Sequence, residues 1–80
     1  MGYYVYILRS KKDGSLYSGY TTNIKERLKR HNSGKVFSTR NRVPLEIVYF
    51  ERCLTLDKAL IRERYLKSSK AKRLKDSLRL

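Results

Sequence analysis

"YYVYILRSKKDGSLYSGYT", Tyr3–Thr21, decides the fold. Tyr3 to Leu8 is an unbroken apolar and aromatic run. Read with the period of two that a strand imposes, it has two apolar faces, which suits a strand covered on both sides. Asp13-Gly14 follows as a tight-turn signal. Leu16 to Thr21 then reads as a second strand running back along the first. Gly19, inside that strand, marks either a bulge or a place where something approaches the backbone closely.

Working outward, Asn23 can cap a helix, with Glu26 three residues on completing a capping-box-like pair. That helix runs to about Asn32 and stops at Asn-Ser-Gly, where Gly34 can close it. Lys35 to Pro44 is a polar, basic loop. Leu45 to Arg52 reads as a third strand. Thr55 can cap a second helix carrying Leu56, Ala59, Leu60 and Leu66. The stretch Lys67 to Lys70 breaks or bends it, and a last helix carries Ala71, Leu74 and Leu78 on one face. The order ββαβαα predicts an α+β domain spanning residues 1–80: a three-stranded antiparallel sheet flanked by helices.

Eighty residues leave room for one core only. The single Cys53 excludes an internal disulfide and a cysteine-rich zinc site, and points to a reducing, cytoplasmic setting. No apolar run approaches a membrane span, and the N-terminus lacks a basic segment followed by an apolar one. Twenty Lys and Arg against seven Asp and Glu give a net charge of +13. Self-repulsion on that scale opposes folding and ordinarily serves a polyanion. Nucleic acid is the first candidate, an anionic membrane surface the second, and a merely solvated basic surface the plain alternative.

Several polar residues occupy positions where apolar ones are expected. On the first helix Ile24, Arg27, Leu28 and His31 share a stripe. On the second, Glu63 falls among Ala59, Leu60 and Leu66. Tyr4 and Tyr6 lie on one face of the first strand, and the hairpin can bring Tyr6 near Tyr17. Each has an ordinary explanation: a last-turn histidine favoured by the helix dipole, a snorkelling arginine, an ion-paired or exposed glutamate, tyrosines filling a sheet face. Together they could form one polar site. Phosphodiester hydrolysis needs a cation on the non-bridging oxygens, an activated attacking group and help for the leaving oxygen. Arg27 has the fork that fits phosphate, Glu63 could bind one hard divalent ion, and a phenolate or imidazole could take a proton from water.

In this order the residues resemble the GIY-YIG nuclease domain of small bacterial proteins. "YVY", Tyr4-Val5-Tyr6, stands for the first signature and "YSG", Tyr17-Ser18-Gly19, for the second. "RLKRH", Arg27–His31, matches the helix signature, and Glu63 in "ALIRERYLK" matches the distal glutamate. Tyr4 replaces the first glycine of the signature, Ser18 the isoleucine of the second, and Tyr20 a lysine frequent in relatives; Lys75 stands near a frequent asparagine.

The resemblance implies metal-dependent cleavage of DNA phosphodiesters with one Mg²⁺ or Mn²⁺. Tyr17 would be the general base or nucleophile, with Tyr6 orienting it or the water. Arg27 would stabilise the transition state, His31 assist proton transfer, and Glu63 hold the metal. The expected substrate is branched or single-stranded DNA met in repair or recombination, cut with low sequence specificity by an endonuclease or exonuclease. RNA stays open. Lys35, Arg40, Arg42, Lys67, Lys70 and Lys72 are the expected nucleic-acid contacts. The alternative is a nucleic-acid-binding module of the same fold with little or no cleavage, alone or through a protein partner.

Overall fold

A computed structural model describes residues 2–79 of the chain. Three strands, β1 (Tyr3–Ser10), β2 (Leu16–Thr21) and β3 (Leu45–Cys53), form an antiparallel sheet in the order β2-β1-β3. Three helices complete the fold: α1 (Ile24–Asn32), α2 (Leu56–Lys67) and α3 (Lys72–Leu78). Short 3-10 turns at Arg40–Arg42 and Ser69–Ala71 precede β3 and α3. The α+β class and the element order expected from the sequence both hold.

The two-faced run of β1 takes the central place because only there are both faces covered. Val5 and Ile7 point to one face and are fully buried with Ala59 and Leu66 of α2 and Ala71. Tyr6 and Leu8 point to the other, where Leu45 is buried with them and Leu28 of α1 packs against them. Burial of each such side chain contributes about 1.5–3 kcal/mol, before the opposing loss of conformational freedom.

The turn forms where expected. Gly14 adopts φ +76°, Ser10 N donates to Ser15 O at 2.9 Å, and Ser15 N donates to Asp13 Oδ1 at 2.9 Å. Asn23 Oδ1 accepts from Glu26 N at 3.1 Å and caps α1. At the other end Gly34, at φ +80°, donates to His31 O. Thr55 caps α2 through Lys58 N. Against β3 the register of β1 slips between Ile7 and Leu8: Ile7 faces Tyr49 and Leu8 faces Ile47, leaving Val48 as the extra residue of a bulge. Arg9 ties the sheet to the chain's last helix, with Nη2 2.9 Å from Glu46 Oε2 and Nη1 donating to Leu78 O at 2.8 Å.

Among the described residues, no helix is long and apolar enough to cross a membrane.

Candidate active site

Gly19 shows why the second strand carries a glycine. The register of β1 with β2 runs unbroken from Tyr4↔Thr21 to Arg9↔Leu16, so there is no bulge in β2. Tyr6 stands directly opposite Gly19 and lays its ring across it. A Cβ there would sit 2.6 Å from the Tyr6 hydroxyl oxygen and 2.8 Å from Cζ, a clash with the ring itself. The close approach left open by the sequence is therefore made by Tyr6.

The position of Tyr6 fixes a polar cluster. Its hydroxyl oxygen lies 3.2 Å from His31 Nε2, and Arg27 Nε donates to it at 3.4 Å. Tyr17 reaches the same imidazole from β2, with ring centroids 5.1 Å apart and planes inclined by 60°. Helical spacing places Arg27 and His31 on one face of α1, and the cap at Asn23 sets the phase of that face. The burial expected of Ile24 and Leu28 is only partial; the fully buried side chain of α1 is His31, at 0% exposure. It is thus no exposed last-turn histidine.

A buried imidazole needs a partner on its second nitrogen. Thr39 supplies it: Nδ1 and Thr39 Oγ1 are 2.7 Å apart, and Thr39 is 1% exposed. Both ring nitrogens are thereby engaged. Sequence reasoning missed Thr39, since a threonine in a polar loop follows no periodicity. Ser33 and Ser38 lie between it and His31, so no signal in the sequence singles Thr39 out.

The electrostatics follow from burial and from Arg27. Desolvation pushes the Tyr6 phenol above its ordinary value; the Arg27 bond and charge oppose this, and Tyr17 and Glu63 add to it more weakly. Desolvation, then the charges of Arg27 and Arg30, hold the His31 imidazole below its ordinary value, so at neutral pH it is uncharged. The bond to Tyr6 raises the Arg27 guanidinium further, keeping a permanent cation at the cluster.

Glu63 lies on α2, which packs on the opposite face of the sheet; among the described residues it makes no hydrogen bond or ion pair with Tyr6, Tyr17, Arg27 or His31, and its charge adds only weakly to the rise of the Tyr6 phenol. Its side chain is only 18% exposed, and Lys67 Nζ lies 3.4 Å from Oε2 one helical turn on. Among the described residues no three His, Cys, Asp or Glu side chains gather into a metal cage. One carboxylate does not suit structural zinc. It does suit Mg²⁺ or Mn²⁺, which keep several waters and complete their shell with substrate phosphate oxygens. The half-exposed Lys67 ammonium balances that carboxylate.

The expected nucleic-acid contacts are all exposed. Lys35, Arg40 and Arg42 lie on the loop that carries Thr39. Arg42 is 4.0 Å from Asp13, and Arg40 stacks over the Phe37 ring at 4.6 Å. Lys67 and Lys70 lie at the end of α2 and beyond it. Lys72, on α3, is paired with Asp76 at 2.8 Å.

Comparison with known proteins gives a consistent picture. Residues 2–76 match the family described as the GIY-YIG catalytic domain. A UPF0213 protein of Bacillus licheniformis is 48% identical over 66 residues, covering 81% of this chain and 67% of its own. One of Staphylococcus haemolyticus is 43% identical over 75 residues, covering 91% and 90%. The solution NMR structure of a UPF0213 protein from Bacillus halodurans superposes with a TM-score of 0.57 at 41% identity, over 98% of this chain and 85% of that one.

Proposed function

This chain belongs to the GIY-YIG family, a nuclease-type family, and from that premise we propose that it hydrolyses DNA phosphodiester bonds with the help of one divalent metal ion. The observation that carries the reading is the meeting of Tyr6, Tyr17 and Arg27 around a buried, neutral His31. A protein that only binds nucleic acid has no need for these four groups to converge.

In this reading Arg27 holds the non-bridging oxygens of the scissile phosphate and stabilises the charge that grows there. Its Nε is engaged with Tyr6, which leaves the two terminal nitrogens of the guanidinium to face the phosphate. Tyr17 is the general base: its phenol gives up its own proton to solvent, the phenolate then takes the proton of the attacking water, and the leaving oxygen picks up a proton from solvent. Tyr6 orients Tyr17 or that water, and His31, out of reach of substrate, assists from behind by holding or taking a proton at Nε2. Thr39 keeps the imidazole in position. Glu63 holds the metal, which supplies Lewis-acid polarisation of the phosphate when bound.

The substrate is DNA with unpaired bases, single-stranded or branched, as arises in repair and recombination. Supporting this, Phe37 is 80% exposed on the loop that ends in the site, with a guanidinium over its ring. Exposed aromatics paired with arginine are platforms for unpaired bases. In this reading cleavage has low sequence specificity.

The test is incubation of the pure protein with plasmid, single-stranded and branched DNA, with Mg²⁺ or Mn²⁺ and with EDTA. Cleavage should require metal. Tyr17→Phe and Glu63→Ala should each abolish it while DNA affinity stays within about twofold. Undiminished cleavage by the double variant would overturn the assignment.

A further inference from the structure

A second basic feature adjoins the cluster, on the α2–α3 side of β2. A cleft of about 240 Å³ opens there. Leu16 and Leu66 give it apolar sides and Ser18 a hydroxyl. Three cations line it: Lys67 from α2, Lys75 from α3 and Arg79 just beyond α3. Tyr17 lines it too, and its ring meets His31 on the other side. The cleft and the proposed active site therefore share a wall.

We propose that this cleft is a phosphate subsite, holding the backbone phosphate next to the one being cut. The proposal deepens the nuclease reading and rests on it. Leu74 and Leu78 turn inward to the core, while Lys75 and Arg79, four residues apart, share the side of α3 that turns to β2. Lys75 is half-buried, an unfavourable place for an ammonium unless an anion shares it.

Among the described residues, the anions near the three cations are too few to balance them. Glu63 lies 3.4 Å from Lys67, and Asp76 is shared between Arg79 at 3.1 Å and Lys72 at 2.8 Å. Convergent like charges of this kind are stabilised by a polyanion. The site is also held in place. Arg9 anchors the Leu78 carbonyl immediately before Arg79, so a helix of only seven residues presents its cations from a fixed position.

The experiment measures binding of a fluorescent twelve-nucleotide oligothymidylate in EDTA across a salt series, so that no cleavage is required. Lys75→Ala/Arg79→Ala should bind about tenfold more weakly. The slope of log affinity against log salt should shrink by about 1.4, the value for two phosphate contacts on a single strand. Lys75→Arg/Arg79→Lys should restore both. Lys58→Ala/Arg64→Ala, which removes equal charge from the exposed side of α2, should change the slope by less than half as much.

A second arm places one neutral methylphosphonate at each position in turn. Wild type should lose affinity at a discrete position, and the cleft variant should not. Equal slope changes in the two double-alanine variants, or no position-specific loss, would overturn the subsite. A wild-type protein that binds in this pattern but cuts nothing would overturn the nuclease reading and with it the placement beside a scissile bond, while leaving the phosphate contact established. Melting curves report whether each variant is folded.

Discussion

Thr39 Oγ1 and His31 Nδ1 lie 2.7 Å apart, and both side chains are closed off from solvent. This contact joins the basic loop to the helix that carries Arg27. It also settles what each part of the imidazole does: Nδ1 is held by the loop, leaving Nε2 for Tyr6. Thr39→Val keeps the shape and removes the hydroxyl, so a buried ring nitrogen loses its partner. The expected cost is about 1–3 kcal/mol in urea unfolding. Thr39→Ser should recover most of it. Equal stability of the valine and threonine proteins would show that the bond contributes nothing.

Gly19→Ala puts a methyl group where the Tyr6 ring lies. Relief requires the ring to leave Arg27 and His31 or the strands to part. Overpacking of this sort costs about 1–3 kcal/mol. Cleavage should fall by a larger factor than stability alone explains, with DNA affinity little changed. In Gly19→Ala/Tyr6→Phe, which removes the hydroxyl oxygen at the closest approach, unfolding should show part of the stability regained.

The buried His31 makes stability depend on pH in a set direction. Its folded-state value lies below the ordinary 6.5. Above 6.5 neither state holds the proton and nothing is lost. As pH falls through 6.5 the unfolded chain takes up a proton that the folded one resists, and stability declines until the folded value is passed. The melting temperature should therefore drop between pH 7 and pH 5, and His31→Gln should remove most of that drop. The carboxylates held low by their partners, Asp13 and Asp76, lose their contribution nearer 3.8, outside this window.

Arg27→Lys tests geometry against charge. Lysine keeps the cation but has no Nε to hold Tyr6 and no fork for phosphate. Cleavage should fall at least tenfold, with binding within about threefold in anisotropy titrations. Full activity would mean that Arg27 acts only as a point charge.

Phe37→Ala should weaken single-stranded binding by about 1–3 kcal/mol, the usual worth of one stacked base. Binding to blunt duplex should stay nearly unchanged. An equal loss on both substrates would argue against stacking on an unpaired base.

Much of the fold could be read from local signals. The two apolar faces of Tyr3–Leu8 placed β1 in the centre, and Asp13-Gly14, Asn23 and Thr55 marked a turn and two helix starts where the structure has them. The third strand ends one residue later than expected, at Cys53, since an apolar side chain there joins the core. Tyr6, Tyr17, Arg27 and His31 could be suspected from their residue types and order.

Other features depended on contacts between distant segments. The stripe on α1 suggested Ile24 and Leu28 as its buried residues, because apolarity is local while the Thr39 contact that lets His31 be buried is not. The last helix is legible as basic, but which of its cations face β2 is not, for a similar reason. Charge says nothing of direction; the packing of Leu74 and Leu78 and the bond from Arg9 to Leu78 O set which side of α3 faces β2.

The loop from Lys35 to Arg42 is fastened at three points. Asn32 Nδ2 donates to Leu45 O and its Oδ1 accepts from Leu45 N, Thr39 engages His31, and Ser10 Oγ donates to Arg42 O at 2.6 Å. A segment bound in this way surrenders little freedom when a ligand arrives. Rigidity of this kind lowers the ordering cost of any contact made there, as in a lock already cut before its key.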